Sequence, residues 1–370
     1  MIGAIVILFV VAALVLAIPA WPAFAEWRQG RDKLPLTISD TYADDHHLIA
    51  EAFGNEVANH LRTAVQSYLS PEGRPVHGIQ ALRKLYEVIG PHSTDQPDFQ
   101  NGVLPLVLVR NTLTKWPASA ALTRQTYLSG TFESGRASVI EKLYVDGDIY
   151  LGEDTEVGDW VHARRDLRAE TGCVLNGSVA AGRMVQVWPG CHFERLSGAE
   201  VRFGDAWHWP EGPVQTQHIA PERPPLFRLH GRAYRQGTAY QVDGHLTIPA
   251  GHVWRGDLIV LGKLRLARGA RIEGSVKAEE AVLLEAGSSV DGQLFSAKSI
   301  EIRTGARVTG TAASEGLLRV RWGAEVGSPE SRSTATGVDV LMEQGSRVFG
   351  VVMAVEQGRV ALRTVARLAA

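Results

Sequence analysis

Cysteine is nearly absent from this chain: its 370 residues hold two, Cys173 and Cys191, too few for a disulfide framework. An excess of one charge is missing too. With 38 basic against 40 acidic side chains and a formal net charge of -2, the chain carries no electrostatic footprint for nucleic acid. It contains no Cys-x-x-Cys pair, zinc-protease motif or nucleophile elbow, and its recurring Gly-x-x-x-x-Gly lacks the Lys-Ser/Thr that cradles phosphate. His46 and His47 stand side by side, but adjacent helical residues diverge by about 100° and do not share a face. These absences assign no metal, no cofactor and no catalytic residue.

From Ile2 to Ala25 charge is missing altogether, and the 24 residues are mostly apolar. As a helix they extend about 36 Å, enough for a hydrocarbon core of about 30 Å. Residues 1–25 therefore read as a transmembrane anchor, with Ile5, Leu8, Val11 and Leu14 in the lipid and Trp21 and Trp27 at the interface. Arg28, Arg31 and Lys33 follow the run and no Lys or Arg precedes it, so the positive-inside rule puts the rest of the chain in the cytoplasm. The competing reading is a cleaved signal peptide ending at Ala23-Phe24-Ala25, with a periplasmic product.

What is abundant is glycine, 38 residues, and it is periodic. Gly251, Gly269, Gly287, Gly305 and Gly323 follow one another at 18-residue steps, with Gly256, Gly274, Gly292 and Gly310 five positions on. The register recurs upstream at Asp154, Gly172 and Gly190 and downstream at Gly345, giving nine rungs. Apolar residues obey it. Ile149, Leu167, Val185, Leu246, Leu264, Val282, Ile300, Leu318 and Val340 lie five before the mark, and Val157, Leu175, Phe193, Trp254, Ile272, Val290, Val308, Val326 and Val348 three after it. Three short alternating strands per coil, with small residues at the corners, predict a triangular β-helix. Cys173 and Cys191 each follow the mark in successive coils; stacked strands lie about 4.8 Å apart, so the two sulfurs are expected to be neighbours, packed as reduced small corner residues.

The register divides the chain. Residues 34–136 read as a small α+β region: a helix from Leu48 to Leu69 ended by Pro71 and Gly73, a short helix from His77 to Ile89, and a buried strand from Leu104 to Val109. Residues 137–205 form a first β-helix block and 238–362 a second. Between them, 206–237 is a Pro- and Trp-rich insert, because Gly190 and Gly251 stand 43 residues further apart than one coil allows.

Coils of the form Val-x-Gly-x-Val-x-Ala, as in Ile272-Glu273-Gly274-Ser275-Val276-Lys277-Ala278, resemble the bactofilins, the polymer-forming cytoskeletal proteins of bacteria. The stretch Asp159-Trp160-Val161-His162-Ala163 and the apolar front end resemble a longer, membrane-anchored variety. The resemblance implies an all-β solenoid, specifically a right-handed triangular β-helix, in a non-enzymatic scaffold at the bacterial inner membrane that polymerises without nucleotide. Its partners would be itself, the membrane and unidentified protein clients. Self-association is expected at the last coil, where Val352, Val355, Val360 and Leu362 have no long polar cap after them. The alternative is a left-handed hexapeptide-repeat acyltransferase of the cell envelope, which needs a histidine base. His162, His208, His218, His230, His245 and His252 are available, and each reads more simply as a surface or turn residue.

The Arg28, Arg31 and Lys33 cluster makes a prediction. A reporter active only in the periplasm, fused to the carboxyl terminus, gives no signal; a strong signal from a chain shortened by about 25 residues establishes signal-peptide cleavage instead.

Overall fold

In the computed structural model the described residues are 48–68, 86–90, 98–204, 233–236 and 239–363. They form an all-β solenoid of about 13 turns carrying one helix, α1 (Leu48–Tyr68). A full coil of the second half contributes three strands, such as Leu264–Leu266, Arg271–Glu273 and Val276–Ala278, each paired in parallel with its counterpart 18 residues on. The apolar columns read from the register are the core. Leu264, Val282, Ile300 and Leu318 are buried in succession, as are Ile272, Val290, Val308 and Val326. Each such side chain withdrawn from water contributes about 1.5–3 kcal/mol, and it does so only against the coils on either side.

The corners explain the glycines. At the mark Gly269, Gly287 and Gly305 adopt φ of +67°, +69° and +67°. A Cβ at Gly251 or Gly269 would meet nothing within 4 Å, so left-handed backbone, not crowding, selects glycine there. The second glycine column has the opposite cause: a Cβ at Gly274 would lie 2.4 Å from the carbonyl oxygen of Gly256, and one at Gly292 2.7 Å from that of Gly274.

The same corner exists without glycine at Ser119, Ala137 and Asp154, with φ of +57°, +53° and +56°. The first half therefore begins earlier than the glycine register indicates. Leu106–Lys115 pairs in parallel with Thr126–Glu133, and Ala121–Leu122 with Val139–Ile140 of the next coil. Residues 106–136 are coils of the solenoid, not part of a separate α+β region. Glu87–Ile89, placed above at the end of a short helix, is instead a strand paired in parallel with Leu106–Leu108. Ile89 is drawn into the main core by that pairing.

Helix α1 forms as its spacing requires. Ala50, Phe53, Val57 and Leu61 recur at three- and four-residue steps on one buried face. That face lies on an outer flank of the first half, against Tyr127, Tyr144 and Trp160. Tyr127, Tyr144 and His162 stack coil upon coil at 5.4 and 5.2 Å, nearly parallel. Phe53 meets Trp160 edge-on at 5.9 Å. Burial, reinforced by a hydrogen bond to Glu56, pushes the Tyr86 hydroxyl up to about 12.

These two glycine columns separate in a denaturation series. Gly269→Ala lowers stability by about 1 kcal/mol through backbone conformation alone, and Gly292→Ala lowers it further because carbonyl groups must move. Ala137→Gly, which relieves the left-handed strain, leaves stability unchanged or raises it. Urea midpoints of the solenoid check all three.

Candidate functional site: the coil ends and the seam

A solenoid's reactive places are its ends, where backbone donors and acceptors lack a next coil. This chain has two half-solenoids and so four ends, and the structure joins two of them. The last coil of the first half, His192–Ser197 and Glu200–Phe203, pairs antiparallel with the last coil of the second half. Leu196 stands opposite Val352, Ser197 opposite Val351, and Val201 opposite Val348. The amide of Gly190 donates to the carbonyl of Val360 at 2.8 Å, and that of Val360 to the carbonyl of Cys191 at 3.0 Å. The two cores run into one another and form one cluster.

This seam corrects the expectation of an open apolar end. Val352 and Val360 are buried within the chain's own seam, whereas Val355 and Leu362 are exposed, each at 69%. The four residues do not make one surface: two are consumed and two are left outside.

The seam also brings like charges together. Arg202 and Arg347 are directly opposite in the antiparallel register, an arrangement that destabilises a pair unless acids intervene. They do. Arg202 bonds Glu200 at 2.7 Å, Arg347 lies 3.8 Å from Glu200 and also pairs with Glu325, and Arg307 reaches Glu325 at 2.9 Å. The alternating row lines a groove of about 760 Å³ that crosses from one half to the other. Sequence reasoning missed it because the pair that crosses the seam, Glu200 and Arg347, is far apart in the chain and shares no motif.

The other two ends are, among the described residues, both first coils, and neither pairs with a further coil there. In the second half, Ala233–Gln236 covers Ala239–Val242 in an antiparallel hairpin. Beside it, Leu246–Ile248 and Val253–Arg255 pair on one side only, with Leu264–Leu266 and Arg271–Glu273, among the described residues. Leu246 donates to Lys263 at 2.9 Å and Ile248 accepts from Ala267 at 3.0 Å. By the alternation of a parallel ladder, the backbone groups of Thr247 between them point away from the coil behind.

Of the histidines considered for catalysis, the three among the described residues do not converge. His162 is stacked on Tyr144, His245 Nδ1 accepts the Lys263 amide at 2.9 Å, and His252 Nδ1 lies 3.0 Å from the Ala250 carbonyl. His46, His47, His208, His218 and His230 lie outside the described residues, as do the anchor residues Ile5, Leu8, Val11, Leu14, Trp21 and Trp27. Among the described residues no cluster of three or more His, Cys, Asp or Glu is placed to hold a metal ion, and no helix is long and apolar enough to cross a membrane. Comparison with known proteins finds no matching family model, curated relative or solved structure.

The seam and the exposed positions respond differently to charge. Val352→Lys places an ammonium in the dry contact with Leu196 and costs about 3 kcal/mol or more, so the halves separate and limited proteolysis cuts between them. Leu362→Lys, at an exposed position, leaves the digestion pattern unchanged.

Proposed function

We propose that this protein is a non-enzymatic, membrane-tethered scaffold of the bactofilin kind, a β-helical rod that assembles end to end. The observation that carries the reading is the pair of strands in the first coil of the second half, Leu246–Ile248 and Val253–Arg255, that are one-sided among the described residues. An unpaired strand edge is a template for another strand, and the seam offers a precedent in which one coil completes another of this chain. The last coils being engaged with each other, assembly falls to the first coils. At about 4.8 Å per turn, about 13 turns give a subunit roughly 60 Å long.

In this reading the coils are right-handed, and the apolar stretch from Ile2 to Ala25 holds the rod at the bacterial inner membrane with its soluble part in the cytoplasm. The partners are other copies of the chain, the bilayer and client proteins. Nucleic acid has no part in it, given the near balance of 38 basic and 40 acidic residues.

Sedimentation of the full chain in detergent tests the reading. The unmodified protein sediments as a concentration-dependent series at micromolar levels. Thr247→Pro, which removes an outward donor from the edge strand, reduces it to single subunits with an unchanged circular-dichroism spectrum. A single subunit from the unmodified protein overturns assembly through the coil ends.

A further inference from the structure

The only two cysteines of the chain occupy equivalent corners of successive coils. Their immediate successors, Val174 and His192, are register partners in the parallel ladder, which sets the two Cα atoms about 4.8 Å apart, inside the span a disulfide bridges. Elsewhere the corner is filled by Ala270, Ser288, Ala306 and Ala324, so packing asks only for a small residue there. Both thiols are free and buried. The Cys173 thiol donates to the Gly152 carbonyl at 3.3 Å and the Cys191 thiol to that of Glu170 at 3.0 Å. Cys191 is part of the seam, because its carbonyl accepts the Val360 amide at 3.0 Å.

We infer that Cys173 and Cys191 are a dithiol modification site, oxidised by peroxide to a disulfide that staples the seam-bearing coil to the coil behind it. Cys191 is the attacking sulfur, since its neighbour Cys173 holds the Cys191 thiol down while the proximity of Cys191 and burial push the Cys173 thiol up. Cys191 gives up its proton and its thiolate attacks one oxygen of hydrogen peroxide; the S–O bond forms, the O–O bond breaks, and the hydroxide that leaves with the O–O bonding pair takes that proton as water. Cys173 then loses its proton and attacks the sulfenic sulfur. The S–O bond breaks, the S–S bond forms, and hydroxide takes the proton as water. In sum two thiols and one peroxide give one disulfide and two waters. An oxidant of two heavy atoms suits the site, since it needs only a small opening of the corner.

Mass spectrometry of the folded full chain after peroxide treatment tests this. Expected is the loss of two hydrogen masses per chain, with both thiols disappearing together, a linked peptide pair containing Cys173 and Cys191, and full reversal by dithiothreitol. Cys173→Ser stops at a trappable sulfenic acid on Cys191 and never loses the two hydrogens. The staple also raises the melting temperature of the unmodified chain but not of Cys173→Ser. Either of two results overturns the inference: sulfinic acid forming without a crosslink in the folded chain, or both thiols staying unreacted until the chain is unfolded.

Discussion

Every part of this molecule depends on coil stacking, in which a short parallel strand bonds the strand one turn behind it and lays its inward side chain on the one below. The interaction is strictly nearest-neighbour. Ile272 is buried by the coils carrying Trp254 and Val290, and nothing further away replaces either. Stability therefore accumulates turn by turn, and the cost of an unfinished edge is concentrated at the terminal coils. The chain meets that cost at two of its four ends by turning the second half round and joining last coil to last coil.

That reversal explains features that look unrelated in the sequence. The 43-residue interruption between Gly190 and Gly251 is long because the second half starts at its far end, with Ala233–Gln236 and Ala239–Val242, and coils back toward the first half. The pairing at the seam is antiparallel whereas the ladders between successive coils within each half are parallel, since two ends of the same sense meet. The alternating Arg307, Glu325, Arg347, Glu200 and Arg202 row follows as well: it neutralises the arginine pair that the antiparallel register sets face to face. Among the described residues, the rod that results has a first coil at each extremity.

How much of this was legible beforehand follows from the range of each interaction. Coil period, core columns and the contact of Cys173 with Cys191 are short-range regularities, and Leu264, Ile272 and Val282 sit where their spacing puts them. Helix α1 was likewise readable from the steps between Phe53, Val57 and Leu61. The early coils were hidden because Ser119 and Ala137 hold the left-handed corner without glycine, so a search on glycine passes over them. The strand at Glu87–Ile89 was hidden because its partner supplies the reason for its shape. The seam was hidden most completely: nothing near Val352 indicates that Leu196 will cover it, and a bare apolar end was the natural reading.

Amide hydrogen exchange at the seam tests the tail-to-tail join most directly. The amides of Gly190, Gly198, Phe203 and Val360 each donate across the seam, to Val360, Gly350, Ser346 and Cys191. The account predicts that they exchange as slowly as ladder amides deep in the second half, such as those of Leu264 and Leu294. Exchange at the rate of freely solvated amides at these four positions, with the interior ladder still protected, would contradict it.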